Sequence, residues 1–202
     1  EFVGFLDDDD EWLKDKTYKQ ILLMKKLNLE ISISSARMIS GHRQIHRPRK
    51  LLNANISPLD HLYRLHYPFR NPKYLPMSGV LVKSKISKNF RFDESLKERE
   101  NLAYLQEIYY SNFEIVQFPF EGVKINYSSI NSLSRLNLNE ELNWIGKINK
   151  LSKSAQNNFL LESARNFIRI KDFSSSKKIL SLITNPNLNQ FFYSLIYKIV
   201  VK

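Results

Sequence analysis

Phe2, Val3, Gly4, Phe5 and Leu6 form an uninterrupted apolar run that ends in acid at Asp7. A short continuous run of this kind predicts a strand covered on both faces. Five carboxylates follow, Asp7 to Glu11. Behind Trp12 the spacing of Tyr18, Ile21, Leu22, Leu23, Met24 and Leu27 predicts a helix to about Asn28 with a broad apolar face. From Leu29 the period shortens to two: Leu29, Ile31 and Ile33 alternate with Glu30, Ser32 and Ser34, as in a strand with one polar face. Ser40-Gly41-His42 is a turn signal, and 43–47 reads as the returning arm of a hairpin, which Pro48 confines to a sheet edge. Pro58 opens a helix to about His66, ended by Pro68. Residues 74–86 read as a strand with an irregular start. Residues 98–110 read as a helix packed through Leu102, Leu105, Ile108 and Tyr109, and 113–126 as one or two strands.

From Asn139 onward only helical spacing remains. Leu160, Ala164, Phe167 and Ile168 form one stripe, and Ser174 to Ser176 offer N-caps for a helix carrying Ile179, Leu180 and Ile183. Lys171-Asp172-Phe173 joins these two helices as a hairpin. The apolar stretch from Phe191 to Val201 reads as a packed terminal helix. Mixed strands and helices followed by helices alone predict an α/β core over 1–126 and an all-helical region over 127–202.

Composition narrows the partners. Hydrophobic residues make up 43% of the 202 and charged residues 25%, which suits a globular chain. There is no cysteine, so disulfides and thiolate metal sites are excluded, in keeping with a reducing, cytoplasmic setting. No apolar run approaches the ~20 residues of a membrane span. The formal charge of +11 is compatible with nucleic acid, an anionic membrane face or phosphorylated substrates. Against nucleic acid stand the acidic strand end and the lack of an interleaved basic and aromatic pattern. Five glycines leave no hidden phosphate-binding loop. His42 and His46 have His-x-x-x-His spacing, but Arg43 follows the first and Pro48 argues against a helix, so the pair is a chance match; His61 and His66 read as surface or packing residues.

The informative feature is the acid at the carboxyl end of a buried strand, where open α/β sheets bind ligands. Like charges gathered there call for a cation among them, and Mg²⁺ or Mn²⁺ takes one or two carboxylates plus substrate phosphates. A solvated acidic turn that only caps the next helix is the structural alternative. The run Phe2-Val3-Gly4-Phe5-Leu6-Asp7-Asp8-Asp9-Asp10-Glu11-Trp12-Leu13, with Lys16 and Gln20 behind it, closely resembles the donor-site segment of family 2 glycosyltransferases. In that segment an apolar strand runs into a D-x-D-D motif, an aromatic residue and a helix. Lys14 departs from the proline many members carry there, which bears on helix initiation.

The resemblance implies a GT-A-like mixed sheet flanked by helices, followed here by the helical appendage. It covers roughly residues 1–125. The βαβ units that open the family's fold and bind the nucleoside base have no counterpart, so the chain, which begins at Glu1, is expected to be an N-terminally truncated piece, weak or inactive alone, with an exposed sheet edge. By the same resemblance Asp7 and Asp8 would lie near the donor's ribose and diphosphate. Asp9 would be the main metal ligand, with Asp7 beside it, and Asp10 is the less defined fourth position. Leu75 to Val82 resembles the strand near donor and acceptor, with Gly79 where a ligand comes close; an ordinary strand with a glycine bulge reads equally well.

Phe92-Asp93-Glu94-Ser95-Leu96 and Glu98-Arg99-Glu100-Asn101-Leu102 resemble the loop and helix carrying the family's acid pair, whose aspartate removes the acceptor hydroxyl proton in an inverting displacement. Here the pair reads Glu100-Asn101, and an amide is no carboxylate base. Glu100 or Glu98 serves instead, the alignment is off by one, or this copy is inactive. The basic run His42 to Lys50 could hold a phosphate-bearing acceptor or the donor diphosphate, or contact a membrane carrying lipid-linked acceptors; a solvated hairpin tip is the alternative. No Q-x-x-R-W segment is present, Trp144 being preceded by Glu140-Glu141-Leu142-Asn143, so transfer of single sugars to a glycan or lipid-linked acceptor is expected.

Overall fold

The computed structural model describes residues 1–64, 73–126 and 136–201. They group into two compact units: 1–61, 73–95 and 99–126 contain the sheet, and 62–64, 96–98 and 136–201 contain the last four helices. In chain order the elements are β1 (Phe2–Gly4), β2 (Asp10–Trp12), α1 (Lys16–Lys26), β3 (Ile31–Ser40), β4 (Arg43–Arg47), α2 (Pro58–Tyr63), a 3₁₀ turn (Met77–Gly79), β5 (Val80–Lys83), α3 (Ser84–Asn89), α4 (Glu100–Tyr110), β6 (Ile115–Asn126), α5 (Leu138–Lys147), α6 (Lys153–Arg169), α7 (Phe173–Ser181) and α8 (Leu188–Val200). The expected helix end at His66 and Pro68 lies outside the described residues.

The sheet runs β1-β5-β3-β6-β2, with β4 paired to β3 at its side. β3 and β6 are parallel and every other pairing is antiparallel. It is therefore a mixed sheet, as expected, and β1 is an edge strand among the described residues. The β3–β4 hairpin forms as read from the pattern, its two-residue turn placing Gly41 at φ 57, where glycine carries no Cβ penalty.

Three readings of the pattern change. The acidic run is not a turn leading straight into a helix. Asp10 N–H donates to the Asp7 carbonyl at 3.1 Å, closing a tight turn, and the chain re-enters the sheet as β2. There Glu11 lies opposite Lys124, 2.9 Å apart, a favourable cross-strand charge pair. Residues 74–86 are not one strand but the 3₁₀ turn, β5 and α3. The alternation in β3 suggested a solvated serine face, yet Ser32, Ser34 and Ser35 are wholly buried. α1 covers them, and the Gln20 amide donates to the Ser32 carbonyl and hydroxyl and to the Gly79 carbonyl at 2.9–3.2 Å. Small hydroxyl residues satisfied by a buried amide let the helix and the 3₁₀ turn close on the strand.

In the helical unit Leu160, Leu161, Ala164, Phe167, Ile179 and Leu180 form the core between α6 and α7. The cap of α7 is Asp172, whose carboxylate accepts from Ser175 N–H at 3.0 Å, not one of Ser174 to Ser176. Ser175 and Ser176 lie inside the first turn, because the charge-assisted bond from an aspartate one turn earlier is the stronger cap.

His61, on α2, is buried. Desolvation first, and then the nearby Lys73 and Lys50 charges, push its pKa down to about 4, against a bond to the Lys50 backbone that raises it. The unfolded chain, with an ordinary imidazole near 6.5, then binds the extra proton between these values. Stability contributed by the neutral ring is complete above about pH 6.5 and is lost as pH falls toward 4. Thermal melts are expected to show Tm falling from pH 7 to pH 5, with a shallower slope in His61→Met; an unchanged slope would exclude His61 as the source.

Candidate active site

The tight turn between β1 and β2 aims three carboxylates into one cavity. The cavity measures about 560 Å³ and is lined by Phe5, Leu6, Asp7, Asp8, Asp9, Met77, Phe92, Glu100 and Asn101. Residues from the start of the chain thus meet the first turn of α4. Of the residues singled out in the sequence, Asp7, Asp8, Asp9, Glu100 and Asn101 line this cavity. Asp10, Glu98 and Gly79 are not among the lining residues.

Ser78 is what fixes the turn. Fully buried, it accepts from Asp7 N–H at 3.0 Å and donates its hydroxyl to Asp10 Oδ2 at 2.5 Å. Its carbonyl receives the Trp12 indole N–H at 2.8 Å, and Asn126 holds the Asp9 carbonyl at 3.2 Å. Asp10 is therefore a strut inside the turn, and the exposed Asp8 and Asp9 side chains are left for a ligand. Partial burial, and then the neighbouring Asp9 and Asp8 charges, hold the Asp7 carboxyl above the usual range, with Ser78 acting in the opposite sense. Burial likewise raises Asp10.

Gly79 makes a close approach of another kind than expected. A Cβ there would lie 2.7 Å from the Ser34 backbone carbonyl and 3.0 Å from the Pro76 ring. The glycine lets the 3₁₀ turn press on β3, and it carries Ser78 to its place. Nothing in the local pattern singled out Ser78 beyond its position before that glycine.

On the other wall, α4 begins at Glu100, later than the spacing suggested, because Arg99 takes a left-handed conformation at φ 65. Glu98 is accordingly off the helix. Asn101 Oδ1 accepts from Leu102 N–H at 2.7 Å, which leaves its amide NH₂ as the group to offer a ligand. Phe92 stacks on Tyr104 at 4.7 Å, and Phe5 meets both rings edge-on at 5.6 and 5.7 Å. This aromatic cluster gives the acidic cavity one rigid apolar side.

The oxygen donors suit a hard divalent cation. Among the described residues no three His, Cys, Asp or Glu side chains come together as a self-sufficient site. Three exposed carboxylates, Asp7, Asp8 and Asp9, with no basic side chain lining the cavity, are the kind of oxygen donors a hard divalent cation takes. Lys16 is not that counter-charge. It is the first residue of α1 and is buried, with its Nζ 4.3 Å from the Trp12 ring centroid and no hydrogen-bond partner among the described residues; desolvation lowers its pKa to about 8.

No protein-family model matches the sequence, and no curated protein matches it. Solved structures do. The chain is similar to S. aureus TarS residues 1–349 in complex with UDP-GlcNAc, with a TM-score of 0.52 at 14% identity, over 100% of this chain and 58% of that one. The same protein in complex with UDP gives 0.52 at 14% identity, over 100% and 64%. The fold is the mixed α/β, GT-A-like fold of these structures. This chain spans about three-fifths of the length of the TarS 1–349 chains it matches. At this identity the likeness concerns the fold.

Gly79→Ala separates packing from ligand contact. Overpacking against backbone is expected to cost about 1–3 kcal/mol in denaturant unfolding. A fully stable Gly79→Ala protein would mean that the 3₁₀ turn has room the geometry denies.

Proposed function

We propose that this chain is the acid-motif part of a family 2, inverting glycosyltransferase that moves a hexose from a nucleoside-diphosphate sugar to a hydroxyl of a glycan or lipid-linked acceptor, in cell-surface glycan synthesis. The observation that carries the reading is the single cavity joining Asp7, Asp8 and Asp9 to Glu100 and Asn101. The fold shared with TarS, seen with UDP-GlcNAc and UDP, supports it.

In this reading Asp9, with Asp7, would hold Mg²⁺ or Mn²⁺, which supplies charge neutralisation to a departing diphosphate when bound. Asp8 faces the donor's ribose and diphosphate. Ser78 keeps the turn closed, so the carboxylates are positioned before the donor arrives. Glu100 is the carboxylate placed to take the proton from the acceptor hydroxyl as its oxygen attacks the anomeric carbon. Asn101 donates its amide to the acceptor and orients it. The apolar wall of Phe5 and Phe92 excludes water from one side of the reacting groups. A cytoplasmic site at the inner membrane face would suit a lipid-linked acceptor. Among the described residues no helix is long and apolar enough to cross a membrane.

The test is a calorimetric titration of UDP, then other nucleoside diphosphates, with and without Mn²⁺. Saturable binding that requires Mn²⁺ and weakens at least tenfold in Asp9→Ala is expected. Binding indifferent to both Mn²⁺ and Asp9 would sink the donor-site reading. In a transfer assay Glu100→Gln should lower kcat about 10²-fold or more with donor affinity kept.

Asn101 supports a second reading: a nucleotide-sugar-binding or scaffold protein of a glycan assembly complex, impaired in catalysis. Asn101→Asp decides between them. A large gain in turnover would identify an intact pocket lacking its base; unchanged turnover, with Glu100→Gln inactive, would leave Glu100 as the base.

A further inference from the structure

α8 is inverted. Its inward positions are Gln190 and Ser194, both buried, with Tyr193, Tyr197 and Val201 partly so. Its large apolar side chains point out: Leu188, Phe191, Phe192, Leu195, Ile196 and Ile199 are 46–72% exposed. They recur at i, i+3, i+4, i+7, i+8 and i+11, one stripe of a helix. The terminal helix is packed, as the sequence suggested, through Tyr193, Tyr197 and Val201, but most of its large apolar side chains face outward.

This orientation is fixed by a buried amide network. The Gln190 amide donates to the Ser154 carbonyl at 2.9 Å and to Asn158 Oδ1 at 2.8 Å, while its Oε1 accepts from Asn187 N–H at 3.1 Å in a capping box. Asn157 in turn donates to the Thr184 carbonyl at 2.7 Å. Turning α8 to bury its apolar face would leave these groups unpaired in the interior, a larger loss than the exposed stripe costs. The outward face is thus a built feature, one contiguous stripe of six large apolar side chains each 46–72% exposed, the kind of patch that marks a docking surface.

Charge selects the occupant. From Phe173 to Val201, across α7 and α8, there is no Asp or Glu, while Lys177, Lys178 and Lys198 are exposed. A second copy would add more exposed lysines with no carboxylate from these two helices to pair them. An anionic lipid surface offers both acyl chains for the stripe and negative headgroups for the lysines. We infer that α8 docks this protein in the plane of an anionic membrane surface, its apolar stripe at the headgroup boundary. The inference is independent of the donor-site reading.

The test is co-sedimentation of the full chain with vesicles of phosphatidylcholine alone and of phosphatidylcholine with 30% phosphatidylglycerol, at low and high salt. The comparison is Phe192→Ser/Ile196→Ser, whose replaced residues are exposed and whose circular dichroism should match wild type. Binding to the anionic vesicles, weakened at least tenfold by high salt and by the double variant, is expected. A Phe191→Trp reporter should shift its emission to the blue on those vesicles. Absence of vesicle binding, or binding unchanged in the double variant, overturns the inference. If light scattering then shows a dimer that the double variant dissolves, the face belongs to a second copy.

Discussion

Carboxylates of like charge do not gather by themselves, and here a buried serine hydroxyl holds their turn in shape. Ser78 stands between the Asp7 backbone and the Asp10 side chain and joins the two ends of the turn. It reaches that point because Gly79 lets the 3₁₀ turn press on Ser34 of β3. β3 tolerates the contact because the residue there is a small serine whose hydroxyl donates to the Gly79 carbonyl, which also accepts from Gln20 of α1. Each contact depends on the one beneath it. The acids that line the cavity are thus held by a turn tied to a polar seam whose groups are satisfied inside the protein.

The division of labour among the four aspartates follows from this. Asp10 is spent on the turn, Asp7 is shared between turn and cavity, and Asp8 and Asp9 are free to meet a ligand. Their oxygens are donors of the kind a hard cation takes, and the opposite wall of the cavity supplies a carboxylate, an amide and an aromatic face.

The helical unit applies the same physics to another end. Buried amides around Gln190 outweigh the pull of an apolar stripe toward the interior, so α8 faces outward. In the sheet unit buried polar groups specify a site; in the helical unit they specify a surface.

By itself the sequence determined the local elements and the chemical character of the site. The opening strand, though it is a half-buried edge that stops at Gly4 and not a covered strand running into the acid, the hairpin with its edge arm, the helix through Leu105 and Ile108 and the helical C-terminal region were legible because hydrophobic period and turn residues are local properties. Only the tertiary structure decided which acid is a strut, since Ser78 lies 68 residues from Asp10. It alone brought Glu100 and Asn101 to the acidic turn and left Glu98 off the helix, through a left-handed Arg99. It also turned most of the large apolar side chains of α8 outward, because periodicity shows that a helix has an apolar face but not which way that face turns. That is settled by hydrogen-bond partners on other helices, which no local pattern contains.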